Sequence, residues 1–305
     1  MFEGHNLSPW RVIDDDNEVA VYDSIDSLWE DAAIKQTPAY VTGSSRQSRS
    51  TKPTKSWDLG VGFEKGYKLG TTEGWLEGAQ TATRVRKQMK RLNARLEGSK
   101  VVRKDMVAGG TVNIGKFVGG AKKHMIRRKR IRTADGTHVT IGVENSALCY
   151  VESKEMVNRG CAISGLIQAI ENMGISVELT QLHTSKSSVN YSNDTRYTVA
   201  AKVKRAGTYM NDERIAMALG HPATFRRGVF GIKERHPDFF EVFGDGYGRT
   251  KETSEVVRKA LGVDYHIRSI HDDQTEWGDI TEDQMVAWVE SKFDEVMKSK
   301  NIRTR

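Results

Sequence analysis

The sequence predicts an α/β fold: a mostly parallel sheet covered by helices, preceded by an N-terminal α-rich extension. Three observations predict it. Beyond residue 135, segments of two-residue apolar alternation take turns with segments of helical periodicity. The apolar run Ala162, Ile163, Leu166, Ile167, Ala169 and Ile170 marks one inward helix face, and Gly174 supplies its stop. The flanking strands are short and rich in Val, Ile and Thr, as in His138–Val143. A chain of 305 residues has room for one large domain, or for a domain with a substantial extension.

In chain order, Val12-Ile13 and Val19–Tyr22 read as strands around the acidic turn Asp14–Asn17. Asp26 is placed to cap a helix carrying Leu28, Trp29, Ala32 and Ala33. Gly43–Lys55 is polar, basic and rich in Ser and Thr, the composition of a mobile linker. After Ser56–Phe63 a helical stretch runs to about Arg95, with Leu69, Trp75, Leu76, Ala79 and Ala82 as a buried stripe. Val85, Met89, Leu92 and Leu96 continue it on a basic helix. After the strand at 138–143, a helix opens at Asn158 or Arg159. Ile175–Leu182 and Tyr197–Val203 are strands, and Asn211 or Asp212 caps a short helix ending at Gly220-His221-Pro222. Phe225–Ile232 reads as a strand, or a strand plus a turn. Lys251–Leu261 is helical, Tyr265–Ile270 is strand-like, and Thr281 caps a last helix with Met285, Trp288, Val289, Phe293 and Val296 inward. The expected division is 1–55 as a small segment and linker, 56–134 as a helical, strongly basic segment, and 135–300 as the α/β domain.

Charge carries the functional argument. The formal net charge is +7, but residues 84–132 hold 17 Lys and Arg against Glu97 and Asp105, so this segment is +15 and the remainder −8. A cationic segment of that density neutralises phosphates and releases counterions, giving salt-sensitive affinity for nucleic acid with little sequence preference. The candidate contacts are Arg84, Arg86, Lys87, Lys90, Arg91, Lys116, Lys122, Lys123, Arg127, Arg128, Lys129 and Arg130. A solvated basic face, or a face for an acidic protein, fits the same charge. Arg226-Arg227 would add to the basic surface.

Other motifs exclude more than they assign. Gly110–Lys116 satisfies G-x-x-x-x-G-K, yet Phe117 stands where a phosphate loop needs a hydroxyl for Mg²⁺. An exposed Gly-rich connection is the expectation there. The histidines show no H-x-x-x-H or H-E-x-x-H spacing, and Cys149 and Cys161 form no CxxC pair and read as reduced core thiols. His221 reads as a partner-binding residue or as one that satisfies the helix end beside it. Trp57, Phe63, Tyr67 and Trp75 read as core. No helix-turn-helix, zinc finger or ribonucleoprotein motif supports base-specific readout. Two cysteines, no membrane-length apolar run and no basic-then-apolar start point to a reducing cytoplasm.

Two resemblances add expectations. THVTIGVENSA followed by NRGCAISGLIQAIENMGISVELTQL resembles the start of a von Willebrand factor A-type domain: strand, metal-motif loop, amphipathic helix, second strand with a polar end. The family's Asp-x-Ser-x-Ser stands here as Glu144-Asn145-Ser146-Ala147-Leu148, so the second serine is lost. The resemblance implies a Mg²⁺ site only if later loops help. Its candidate ligands are Glu144, Ser146, Thr184 and Asp272, with Ser185 and Asp273 as neighbours, and the expectation is a degenerate, metal-free loop without a cofactor. It further implies protein–protein contact through the rim loops. WDLGVGFEKGYKLGTTEGWLEGA, VNIGKFVGG, HPATFRRGVFGIKE and GYGR resemble a tailed-bacteriophage protein family. That implies a phage origin, and so action in the cytoplasm of an infected bacterial host or in virion assembly, with phage or host proteins as partners; a single-stranded-DNA-binding role in phage transcription or replication is an analogy from size and charge. No membrane partner is implied.

Overall fold

The computed structural model describes residues 9–34, 48, 52–89, 101–106, 111–112, 114–130, 138–187, 194–209, 211–244, 247–273 and 275–300. A seven-stranded mixed sheet forms its centre. The acidic turn at 14–17 folds β1 (Trp10–Asp14) back on β2 (Asn17–Tyr22) as an antiparallel hairpin, as its alternation requires. The hairpin is part of the main sheet: β2 runs parallel to β8 (Arg196–Lys204), with Val19 opposite Thr198. The sequence division at residue 55 is therefore not a division of the sheet.

The interior of the sheet follows from apolar strands buried on both faces. In β6 (His138–Glu144) every residue after His138 is buried. β6 lies parallel to β7 (Ser176–Lys186) on one side and to β10 (Tyr265–Ile267) on the other. The long helix α6 (Ser153–Asn172) makes the crossover between β6 and β7 and ends where Gly174 takes φ +86°. We label the preceding helices α1 (Ile25–Ala32), α2 (Lys55–Asp58), α3 (Gly62–Lys68), α4 (Leu76–Gln88) and α5 (Ile114–Val118).

The mostly parallel expectation is corrected here. β7 and β8 are antiparallel, as are β1–β2 and the pairing of β7 with β9 (Arg249–Thr250). The nine residues between β7 and β8 are too few for a helical crossover, so the chain must return antiparallel. β9 pairs with β7 only at Ser185 and Lys186, beyond Leu182, where β6 ends.

Helices α7 (Asp212–Gly220) and α11 (Glu282–Ser299) both pack against α6 and α4, and α8 (Phe230–Lys233) packs against α1; α9 (Phe239–Val242) and α10 (Glu255–Ala260) are short. α6 and α7 cross at glycines: a Cβ on Gly160 would lie 2.1 Å from the Gly220 Cα. Thr281 caps α11 through a box with Gln284, as its sequence signature requires. α6 opens at Ser153, a turn and a half earlier than its apolar face alone indicates, because Glu152 and Glu155 close its first turn.

Four further expectations are overturned. Residues 224–233 are not a strand: a π turn (Thr224–Val229) leads directly into α8. The segment 56–134 is not uniformly helical, because β3 (Val101–Met106), β4 (Thr111–Val112) and β5 (Met125–Arg130) form a separate antiparallel sheet in the order β3-β5-β4. The helical stretch expected after Phe63 is broken by a π turn at Leu69–Glu73 and by Gly74, and Leu76 is exposed. Ser48, inside the expected linker, is buried and pinned: its N–H and hydroxyl donate to the Glu234 carboxylate at 2.6 and 2.9 Å.

Candidate functional site

The small sheet carries the densest cationic run, and its register is informative. β5 pairs with β3 so that Arg128 stands opposite Arg103 and Arg127 opposite Lys104, while Lys129 faces Val102 and Arg130 faces Val101. Like charges directly opposite each other in an antiparallel pair cost stability unless a counter-charge is supplied. The connection between β4 and β5 presents Lys116, Lys122 and Lys123, all exposed. Phe117 is 58% exposed there and meets the His124 ring edge-on at 5.2 Å, with Ile114 and Val118 also exposed. This basic wing therefore combines cations with an uncovered aromatic, the pair of features that single-stranded polyanions recruit.

The cations of α4 are differently employed. Arg84 forms an ion pair with Glu282 of α11 at 3.4 Å, and the half-buried Arg86 stands near enough to Asp212 to favour that carboxylate's charge against burial. Lys87 is exposed. Lys90 and Arg91 lie outside the described residues.

Arg226 and Arg227 are not surface cations: they are 2% and 0% exposed. Arg226 spans the Trp57 ring at 4.2 Å and donates to the carbonyls of Ser56 (3.0 Å), Trp57 (2.5 Å) and Val151. Arg227 pairs with Asp58, whose carboxylate also accepts from the backbone of Thr54, Gly60 and Gly62. These arginines fasten the 52–62 segment to the π turn, and desolvation is offset because every charge is bonded. His221 is buried, accepts from the Ala223 N–H at 3.2 Å and packs edge-on against Trp75. Phe63 and Trp75 are core residues, with Trp57 and Tyr67 packed against it. Cys161 is buried, whereas Cys149 is exposed, so only one of the two thiols belongs to the core.

At the C-terminal end of β6, three of the four metal candidates converge. Glu144 is fully buried, and its Oε1 accepts from the Ser146 hydroxyl (2.6 Å) and the Thr184 N–H (3.0 Å). Its Oε2 accepts from the Thr253 N–H (3.0 Å) and hydroxyl (2.6 Å). The Thr184 hydroxyl continues the network to Thr198 and Thr253. Asp272 stands apart, accepting from Ser269 at 2.6 Å. Burial raises the Glu144 pKa, against the hydrogen bonds that lower it. A hard divalent cation needs several free oxygens. This set offers one carboxylate, whose oxygens are already committed to hydrogen bonds, and it does not fit the ion. Among the described residues no group of three or more His, Cys, Asp or Glu side chains is placed to hold a metal. Thr253 is the member of this network that sequence reading missed: Lys251–Leu261 reads as helical, but the helix begins only at Glu255, and Thr253 lies in the irregular stretch before it.

A cleft of about 380 Å³ opens beside this network, lined by residues from the loops after β6, β9 and β10, Asp272 among them. Arg159, buried in α6, ties these loops together by donating to Asn145 Oδ1 (3.0 Å) and to the carbonyls of Glu144 (3.1 Å) and Arg268. Among the described residues no helix is long and apolar enough to cross a membrane.

The fold and its features define a helix-covered mixed-sheet α/β protein with a basic β-wing. Residues 11–296 match the family described as a domain of unknown function (DUF7192), and the chain belongs to that family. No curated protein and no solved structure matches it.

Proposed function

We propose that this chain binds nucleic acid through the wing formed by β3, β4 and β5, as an accessory rather than an enzyme. The observation that carries the reading is the β3–β5 register, which sets Arg103 against Arg128 and Lys104 against Arg127. Phosphates lying along this ladder would supply counter-charge to the like-charged pairs. Lys116, Lys122 and Lys123 extend the cationic track, and Phe117 offers a platform for an unstacked base. Single-stranded DNA is the substrate that uses both features. The resemblance to a phage family supports an infected bacterial cytoplasm as the setting, and the analogy of size and charge supports a role in phage transcription or replication. Filter binding of the full chain to single-stranded and duplex DNA at low salt tests the reading. Retention of both, with the single strand held more tightly, is expected. Absence of retention overturns it.

One observation favours a second reading, an adaptor of von Willebrand A type. The strand–loop–helix–strand order of β6, the 145–152 loop, α6 and β7 follows the start of that fold, and Glu144, Ser146 and Thr184 meet at its rim. In this reading the rim loops hold a protein partner without a metal. A pull-down whose captured protein survives nuclease treatment and is lost on altering the 145–152 loop supports it; capture that nuclease abolishes counts against it.

A further inference from the structure

We propose that the core binds water between the Gln181 and His183 side chains of β7, beneath the π turn Thr224–Val229, as a fixed part of the fold. The site is independent of the reading given for the wing. The first observation is a set of polar atoms that the protein does not satisfy. Gln181 is 0% and His183 1% exposed. Oε1 and Nε2 of Gln181, and Nδ1 and Nε2 of His183, have no hydrogen-bond partner among the described residues. Buried side chains of these types are nearly always hydrogen-bonded, because an unmet polar atom forfeits its hydration. Burial, with Lys233 and Arg159 nearby, holds the His183 ring well below the ordinary histidine range, so it is neutral at pH 7. A neutral ring offers one N–H donor and one acceptor, and Gln181 offers an amide NH₂ and a carbonyl. Donors and acceptors in this mixture suit a small neutral molecule that both gives and takes hydrogen bonds.

The second observation is the surroundings. In the sheet register Gln181 stands between Val143 of β6 and Ala201 of β8, and His183 stands opposite Val199. The His183 ring stacks on Phe225 of the π turn, with centroids 5.2 Å apart and planes 6° from parallel. The polar groups of this region are directed elsewhere. Asn145 donates to the carbonyls of Ala218 and Leu219 and accepts from Arg159, while Lys233 donates to the Ser185 hydroxyl and the Tyr247 carbonyl.

The third observation is spacing. Positions i and i+2 of a strand share a face and stand about 6.6–6.8 Å apart. Gln181 and His183 are such a pair, and they do not bond to each other. A water between two side chains at that separation can bond to both, and buried water of this kind takes two to four polar partners. It would complete a polar strip along one face of β7, from Gln181 through His183 to Ser185 and the Lys233 ammonium.

The test is water–protein nuclear magnetic resonance on the full chain, isotope-labelled in glutamine and histidine. Recording in the laboratory and rotating frames separates bound water from proton exchange. Cross-peaks from water to the Gln181 amide protons and to the His183 ring, with the signs of slowly exchanging water, are expected. Gln181→Met keeps the length of the side chain and removes its hydrogen bonds. It should weaken the His183 cross-peaks and lower the urea midpoint, because the water loses a partner. If that variant does not fold, the spectra of the unaltered chain decide alone. Absence of water cross-peaks at both side chains overturns the site. A raised urea midpoint in Gln181→Met does so too, since that is the outcome for a dry site in which an unpartnered amide gives way to an apolar group.

Discussion

Arg103 stands directly opposite Arg128 in the β3–β5 ladder, with Lys104 opposite Arg127 in the next register position. Strand pairing normally brings unlike charges or apolar residues together. This like-charged register is the feature on which the proposed nucleic-acid role rests.

The first prediction separates stability from binding. Arg103→Glu converts a like-charged pair into an opposite one, so it should stabilise the wing by about 0.2–1 kcal/mol and at the same time weaken binding to DNA. Urea unfolding and an oligonucleotide titration of the same variant check it. A loss of both, or a gain of both, contradicts the assignment of this face to phosphate.

Phe117 provides a second. Phe117→Ala should reduce affinity for single-stranded DNA by the equivalent of one stacked base, about 1–3 kcal/mol, and leave duplex affinity nearly unchanged. Competition titrations with the two strand forms give the comparison. Equal losses for both forms would mean that the exposed ring does not stack on a base.

The buried pair Arg227–Asp58 predicts a large structural effect remote from binding. Asp58→Ala leaves Arg227 buried without its carboxylate and removes the acceptor for three backbone N–H groups. A loss of about 3–5 kcal/mol is expected, read as a fall in the urea midpoint. Adding Arg227→Met should restore part of it, because the uncompensated charge is gone.

The crossing of α6 and α7 predicts a steric effect. Gly160→Ala would drive its Cβ into the Gly220 backbone, which has no side-chain freedom to yield. Overpacking of this kind costs about 1–3 kcal/mol or more, measurable as a lowered thermal midpoint, whereas Gly207→Ala meets no atom and is opposed only by its positive φ.

The pH dependence follows from Lys233. It is buried, donates to the Ser185 hydroxyl and the Tyr247 carbonyl at 2.9 Å, and desolvation lowers its pKa to about 7. The unfolded chain therefore binds the extra proton between pH 7 and the ordinary lysine value, so stability contributed by this group rises with pH through that window. Lys233→Met should remove that rise, seen as urea midpoints at pH 7 and pH 9 that converge. His221 and His266 act at the acid end: burial lowers both to about 4, so the unfolded state takes up protons first and stability falls as pH drops below the ordinary histidine range.

The legible parts of the fold were those with a local signal. The β1–β2 hairpin shows in its acidic turn, α6 in its apolar stripe and Gly174, and α11 in the Thr281–Gln284 capping box. The illegible parts depend on distant partners. Phe225, Val229 and Ile232 gave an apolar run that fits a strand, and only the buried contacts of Arg226 and Arg227 with the 52–62 segment explain a π turn there. In the wing, consecutive charges at Arg127–Arg130 hide the two-residue alternation, so strands were read as part of a helical segment. At the rim, Glu144, Ser146 and Thr184 were grouped from a family pattern, and they do meet. Their role is hydrogen bonding within the core, with Thr253 in the place expected for Asp272.

The most direct test of the central claim is the salt dependence of DNA binding by the full chain and by the variant with Arg127, Arg128, Lys129 and Arg130 replaced by Ala. The account predicts a linear fall of log affinity with log salt, with a slope shallower in the variant by about 3 on single-stranded DNA. Equal slopes for the two proteins would contradict it.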